Sequence, residues 1–217
     1  MPTFLHVFEP KYRAMVERVW GNGQGGRHFG MVAPDRESQY SMGAVGVHLR
    51  IDQLTRLMDG RSLMETMGTS RFRIRRRGTH PHGYVIADVE DFDDVSLYEE
   101  ENREVAEVDD TLPRPLDFRG ISHETLKLMT TRELMDYAFT SIHEFEEYSP
   151  TWLSSRVIHI YGQCPNDPLL FPWWLGSILP IAESLKVQLL EQITVRDRMK
   201  MCCGWILDWK ARGNRSW

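Results

Sequence analysis

The chain has 217 residues and the composition of an ordinary globular protein, with 41% apolar and 26% charged residues. It contains no run of about 20 apolar residues, as a membrane-spanning helix requires, and its first residues lack the basic-then-apolar pattern of a secretory signal peptide. The net charge of −5 is divided into +4 over residues 1–90, −12 over residues 91–150 and +3 over residues 151–217. This acidic middle argues against a nucleic-acid binder built from the whole chain.

The first predicted element is a helix that begins at Pro10, whose ring suits the first helical position, and ends at Gly21. A glycine-rich turn over residues 21–26 then leads into a predicted strand over residues 28–33. The turn lacks the lysine and the serine or threonine of a phosphate-binding loop, and it precedes a strand where such a loop precedes a helix. We therefore interpret it as a plain connection.

Apolar residues alternate with other residues from Val45 to Ile51, which is the period of a half-buried strand. Asp59 and Gly60 in succession favour a tight hairpin turn. Further strands are predicted over residues 63–68, 71–75 and 84–89. Several short antiparallel strands separated by turn residues are typical of a small barrel or sandwich. Residues 1–95 are therefore predicted to form a β subdomain.

The second half of the chain has a different pattern. Residues 96–120 are acidic and contain two prolines, and we predict a solvated connector there. Residues 121–217 show the 3.6-residue period of helices. Capping boxes at Thr130 and at Thr194 predict the starts of two of these helices. We therefore predict a helical subdomain over residues 121–217.

The sequence has no recognisable catalytic or metal-binding pattern. It has neither the nucleophile elbow of hydrolases nor the His-Glu-x-x-His pattern of zinc proteases, and His80 and His82 have no third ligand nearby in the sequence. The three cysteines lack the spacing of a disulfide framework or a zinc site, which indicates free thiols in an intracellular compartment, cytoplasmic or nuclear: Cys164, Cys202 and Cys203. We predict no catalytic residue, no metal and no cofactor.

Two segments become specific when they are read together. Residues 4–16, FLHVFEPKYRAMV, resemble the signature L-x-h-F-E-P-R-Y-r-x-M of the LON substrate-binding domain family. The sequence Asp-Gly-Arg at residues 59–61, followed by GTSRFRI at residues 68–74, resembles a second segment of the same family. The ordered resemblance extends over residues 4–210. It implies an α+β fold in which a PUA-like β pseudo-barrel is followed by a C-terminal helical bundle.

The resemblance also implies a function. It implies a non-catalytic domain that recognises protein substrates or degrons for ATP-dependent proteolysis or for ubiquitination. Other modules would carry out those reactions, and this sequence contains neither a RING finger nor the motifs of an ATPase or a Ser-Lys protease. An RNA-binding PUA-like domain is the first alternative function, and a stand-alone hydrolase is the second. We predict no membrane partner.

The start of the chain departs from the family pattern. The family has a strand of the type L-P-L-F-P-L ahead of the F-E-P segment, whereas Phe8, Glu9 and Pro10 come almost at the start of this sequence. We therefore expect that the barrel lacks its first strand or that the chain is part of a larger protein. A missing strand would leave an unpaired sheet edge, which invites a partner strand.

Two surfaces are candidates for partner binding. Tryptophan is enriched in binding hot spots, so the first is an aromatic run that would otherwise pack inside the helical bundle: Phe171, Trp173 and Trp174. The second is an outward row of arginines on a predicted strand: Arg71, Arg73 and Arg75. This row would meet an acidic partner or pair with the acidic residues 91–110 of the chain itself.

Overall fold

A computed structural model of the chain describes residues 2–21, 26–34, 43–108, 118, 120–148 and 155–212. The middle of the predicted glycine-rich turn and the proline-containing part of the predicted connector lie outside these ranges. The structure divides into two compact units, which we call the sheet unit, Met1–Asp93, and the helical unit, Asp94–Trp217. The α+β class, with an antiparallel sheet followed by helices, is as the sequence predicted.

The sheet unit contains five described strands and one helix. Their bounds are β1 Pro2–Val7, α1 Pro10–Gly21, β2 His28–Val32, β3 Val45–Arg56, β4 Ser62–Thr79 and β5 Val85–Asp91. All pairings are antiparallel, and the strand order is β1-β4-β3-β2. Strand β5 also pairs with β4. The predicted helix is confirmed, but a strand precedes it that the sequence pattern did not reveal.

Strand β4 organises the sheet. It is 18 residues long and joins the two strands predicted separately over residues 63–68 and 71–75. Its first part pairs with β1, as in Thr66 opposite Thr3, and its second part pairs with β5, as in Ile74 opposite Val89. Strand β3 occupies the other side of β4. Strand β2 is therefore at one end of the described sheet, and β1 and β5 are at the other.

The two sequence segments that resemble the LON family meet in space. The predicted turn is formed between β3 and β4, where Gly60 has a φ of 80° that favours glycine. A Cβ atom placed on Gly60 would lie 2.0 Å from a guanidinium nitrogen of Arg13 on α1. The backbone conformation of the turn therefore favours glycine, and the guanidinium of Arg13 covers it.

One buried cluster of the sheet unit lies where α1 packs on the sheet. Val16 of α1 packs with Ile51 of β3 and Met64 of β4, and each of these three side chains is at most 2% exposed. Half-buried residues of β1, α1, β2 and β3 surround this cluster. The helix thus covers one part of the sheet.

The helical unit contains eight described helices. Their bounds are α2 Leu97–Glu107, α3 His123–Leu128, α4 Thr131–Tyr148, α5 Ser155–Tyr161, α6 Phe171–Ile178, α7 Glu183–Lys186, a 3-10 helix Val187–Glu191 and α8 Val195–Ala211. None of the described helices is long and apolar enough to cross a membrane. Helices α4, α6 and α8 contribute fully buried residues to one core, among them Leu134, Leu175 and Met199.

Both predicted capping patterns are confirmed. The Thr130 hydroxyl accepts from the Glu133 backbone N–H at 3.2 Å, and the Glu133 carboxylate accepts from the Thr130 backbone N–H at 2.8 Å. The Thr194 hydroxyl accepts from the Asp197 backbone N–H at 3.0 Å. These side chains satisfy donors that a helix N-terminus leaves without intrahelical partners.

The described first part of the acidic stretch forms helix α2, and its carboxylates bind neighbouring helices. Glu100 accepts from the backbone N–H of Arg196 at 2.9 Å, and Glu104 accepts from the backbone N–H of Thr131 at 3.1 Å. Two acidic side chains therefore meet the positively polarised starts of α8 and α4. Glu107 pairs with Lys200 at 2.7 Å and with Arg196, and these hydrogen bonds lower the pKa of Glu107 below its ordinary value.

An apolar cleft in the sheet unit as the candidate functional site

The sheet unit contains an open cleft of about 850 Å³. Residues of β4 form its floor, including Phe72 and Ile74, and α1 contributes Tyr12 and Met15 to a wall. Strands β2 and β5, which lie toward opposite ends of the sheet, both line it. The sheet therefore curls around the cleft as an open pseudo-barrel, and the cleft lies between its two ends.

The walls of the cleft expose large apolar side chains. Six large apolar lining residues are at least 40% exposed: Phe8, Tyr12, Met31, Val85, Ile86 and Val89. Single exposed apolar residues are normal on protein surfaces, but a contiguous group marks a site of interaction. The cleft thus has the character of a binding surface for an apolar partner.

Two glycines shape the floor. The ring of Phe72 lies over Gly30 of β2 and Gly46 of β3, where an added Cβ would come within 2.8 Å and 2.4 Å of the ring, respectively. The imidazole of His48 packs beside the same ring, with 4.6 Å between centroids. The glycines therefore form a slot that holds Phe72 in the floor, which we call the Phe72 slot.

We expect Gly46→Ala to destabilise the sheet unit by about 1–3 kcal/mol, because an added methyl must displace the packed Phe72 ring. The same Cβ would lie 2.7 Å from the backbone oxygen of Met31, which belongs to the neighbouring strand and yields less readily than a side chain. Urea denaturation followed by far-UV circular dichroism measures the change. Gly78→Ala is the matched control, since its Cβ would make an ordinary 3.5 Å contact with Ile86. Equal stability of the two variants would contradict the assignment of the slot.

The polar side chains around the cleft include one arginine and three histidines. Arg18 donates to the hydroxyl of Tyr84 at 3.1 Å, and three histidines also line the cleft: His6, His28 and His48. Among the lining residues that the structure describes, Glu9 alone is acidic, and it pairs with Lys11 at 3.1 Å. The hydrogen bond that Lys11 donates to Glu9 raises the pKa of Lys11. Because Glu9 already has a cationic partner, Arg18 makes the cleft more favourable for an acidic group on a ligand than for a basic one.

In the described part of the chain, the cysteine and histidine side chains considered from the sequence as candidates for chemistry pack against other groups of the protein. Cys202 and Cys203 are fully buried free thiols, and burial raises the pKa of each. Their Sγ atoms face the backbone oxygens of Pro172 and Leu134 at 3.6 Å and 3.4 Å. The rings of His80 and His82 stack on each other at 5.1 Å, and the described residues contain no cluster of three metal-ligating side chains. These groups offer no recognisable reaction chemistry.

The predicted aromatic surface lies in the helical unit and is mostly internal. Phe171 is 0% exposed and Trp174 is 2% exposed. Trp173 is half-buried, and the guanidinium of Arg198 lies over its ring at 4.6 Å. This placement favours the packing alternative for Phe171 and Trp174, and it leaves Trp173 as the member of the run that retains some solvent contact.

The predicted arginine row lies on β4, on the face opposite the cleft, because it alternates with Phe72 and Ile74. Arg71 and Arg73 stack on the ring of Phe92 at 4.8 Å and 4.2 Å, and Arg75 pairs with Glu90 of β5 at 2.5 Å. The structure therefore gives all three arginines partners within the sheet unit. None of these three arginines lines the cleft.

The sequence reasoning missed the cleft, although one signal pointed to it. Strand β5 carries apolar residues on both of its faces, as in the adjacent Val85 and Ile86, and both are more than 40% exposed. A strand that is apolar on both faces is expected in the interior of a covered sheet. At the end of a sheet, the same pattern indicates a surface that a partner covers.

Comparisons with known proteins agree with this fold. Residues 1–208 match the family model of the ATP-dependent protease La (LON) substrate-binding domain. The structure is similar to that of a Lon N-terminal domain protein from Xanthomonas campestris, with a TM-score of 0.53, 18% identity, and coverage of 94% of this chain and 89% of that chain. It is also similar to the N-terminal domain of the Mycobacterium avium complex Lon protease, with a TM-score of 0.55, 17% identity, and coverage of 96% and 90%. At these identities the two structures support the fold alone.

Proposed function

Because the chain belongs to the family of LON substrate-binding domains, whose role in proteolysis is non-catalytic substrate recognition, we propose that its binding surface is the apolar cleft of the sheet unit. The observation that carries the proposal is the group of large apolar side chains that the cleft exposes, including Phe8 and Met31. Unfolded proteins expose apolar segments that folded proteins bury, so such a surface distinguishes the two.

A separate catalytic module then processes the bound protein. We propose an ATP-dependent protease or a ubiquitin ligase with a RING module as that partner, in line with the family resemblance. The proteins that this domain binds for such a module would carry degrons. We also propose that the sheet unit is related to PUA-like domains. The protein would act in the cytoplasm or the nucleus.

A single charge in the cleft tests the proposed surface. We expect Met31→Asp to weaken binding of chemically unfolded, fluorescein-labelled casein at least tenfold, which corresponds to about 1.4 kcal/mol, because an aspartate removes apolar contact and adds a charge that binding must desolvate. Fluorescence anisotropy measures the affinity. Met31 is already 40% exposed, so the substitution leaves the fold intact.

The matched control is Met58→Asp. Met58 lies in the turn between β3 and β4, is fully solvent-exposed, and does not line the cleft. We expect this variant to bind casein as the unaltered chain does. Equal losses in the two variants would reject the cleft as the binding surface, and so would an unchanged affinity in Met31→Asp.

A further inference from the structure

Among the described strands, β2 pairs with β3 alone, and its other backbone edge, which we call the free edge, lies beside the cleft. The backbone oxygen of Arg27 accepts from Ile51 of β3 at 2.7 Å, and the oxygen of Ala33 accepts from Gly43 at 3.0 Å. Hydrogen-bonding direction alternates along an antiparallel strand, so the odd-numbered residues of β2 face β3. Gly30 and Val32 therefore direct their N–H and C=O groups away from β3, and no backbone partner for them is found among the described residues.

The free edge and the apolar walls face the same space. Gly30, Met31 and Val32 line the cleft from one end of the sheet, and Ile86 and Val89 line it from the other. A strand adjacent to β2 would lie about 4.8 Å from it, with its side chains alternating between the cleft floor and solvent. The five residues of β2 span about 17 Å at the rise of an extended chain, so five or six residues would fill the edge.

The charges around the cleft restrict what such a strand can carry. The cationic Arg18 lines the site, and its one described carboxylate, Glu9, already pairs with Lys11. An extended segment with an acidic residue at one end therefore complements the rim, whereas one with a lysine there leaves its charge without a partner.

We propose, on the basis of the function assigned above, that the cleft takes an extended apolar segment of a substrate protein as an added β-strand, paired with the free edge of β2 and carrying an acidic end toward Arg18. Main-chain hydrogen bonds then supply affinity that does not depend on a particular side-chain sequence, and the apolar walls select for exposed apolar residues. Such recognition suits a domain that must bind many unfolded chains.

The probe is a fluorescein-labelled peptide of six alternating valines and threonines that ends in two aspartates. We expect it to bind the whole chain, and we expect N-methylation of every second amide to weaken binding at least tenfold, because methylation removes strand hydrogen bonds while keeping the apolar side chains. Anisotropy measures both affinities. Equal affinity of the two peptides overturns strand pairing.

A change in the protein isolates one hydrogen bond. Val32→Pro removes an outward N–H, and a proline at such an edge position leaves the ladder with β3 in place. Val32→Ala is the control that measures how much affinity is lost when the valine side chain alone is shortened. We expect Val32→Pro to bind the unmethylated peptide at least threefold more weakly than Val32→Ala, with identical far-UV circular dichroism, and no difference between the variants for the methylated peptide. Equal affinities for the unmethylated peptide overturn the role of the edge.

The charge preference has its own comparison. We expect the aspartate-ended peptide to bind severalfold more tightly than the same peptide ending in two lysines, and Arg18→Gln to reduce that ratio. A ratio of one in the unaltered chain overturns the acidic-end assignment.

These outcomes separate the mode of binding from the site itself. If Met31→Asp weakens casein binding but N-methylation of the peptide does not matter, the cleft is the recognition surface and strand pairing is wrong. If Met31→Asp has no effect, the site fails as well. Sedimentation that shows the chain as a dimer, with the peptide excluded, assigns the edge to a second copy and also overturns the proposal.

Discussion

Replacement of Arg198 by methionine is expected to destabilise the helical unit by about 3–5 kcal/mol. The Arg198 side chain is 0% exposed, and its guanidinium donates to Asp94 at 2.7 Å and to the backbone oxygen of Gln192 at 3.1 Å. It also lies over the ring of Trp173. Methionine keeps much of the buried volume but leaves the carboxylate and the backbone oxygen without this donor.

Urea unfolding monitored by tryptophan fluorescence measures the loss. Arg103→Met is the matched control, because Arg103 forms an exposed pair with Glu99 at 2.5 Å, and exposed pairs contribute about 0–1 kcal/mol. We expect the double variant with Asp94→Leu to recover part of the loss, since it removes the carboxylate that the single change leaves behind. A loss in Arg198→Met no larger than in Arg103→Met would show that the pair does not hold the unit together.

Replacement of Phe171 by alanine is expected to cost the helical unit about 3–5 kcal/mol, the usual loss for a buried aromatic side chain. Phe171 is 0% exposed, and its ring centroid lies 4.5 Å from that of Phe139 and 6.2 Å from that of Trp174. Alanine at this position opens a cavity between α4 and α6. The midpoint of thermal or urea unfolding reports the change.

The neighbouring Leu170 provides the control, because it is 56% exposed and Leu170→Ala should change stability by no more than about 0.5 kcal/mol. The same pair of variants decides between the two interpretations of the aromatic run. If Phe171 acts in packing, folded Phe171→Ala protein binds casein with unchanged affinity. Weaker binding with unchanged stability would instead assign Phe171 to a recognition surface.

Much of the fold follows from local sequence signals. Helices α1, α4 and α8 begin where Pro10, Thr130 and Thr194 predict a start, because these signals act within a single turn of helix. Strand β4 was predicted as two strands, because Gly68 and the polar residues after it interrupt the apolar alternation. Pairing on both sides with β3, β1 and β5 overrides that local interruption.

The site depends on information that local patterns do not carry. The density of aromatic residues around Phe171 is the same whether the residues pack inside or face a partner, so composition alone leaves the choice open. The arginine row meets Glu90 only through the register of β4 against β5. The cleft likewise depends on which strands become the ends of the sheet, and that is set by long-range pairing.

The acidic stretch illustrates the same limit. A run rich in Glu predicts solvent exposure, and Glu101 of α2 is exposed. Glu100 and Glu104, however, accept hydrogen bonds from backbone groups of Arg196 and Thr131, which are 96 and 27 residues further along the chain. Charge density along a sequence does not reveal partners at such separations.

The Phe72 slot also ties the packing of the sheet to the register of β4 against its neighbouring strands. Three strands take their position from β4, and a slip of β4 by one residue would exchange its two faces. Such a slip would turn Phe72 and Ile74 away from the cleft and bring Arg71 and Arg73 into it. The ring of Phe72 fills the space above Gly30 and Gly46, so the shifted pairing would place a charged arginine side chain near that apolar space. The same contact that shapes the floor therefore favours the observed register of β4 over one shifted by a single residue.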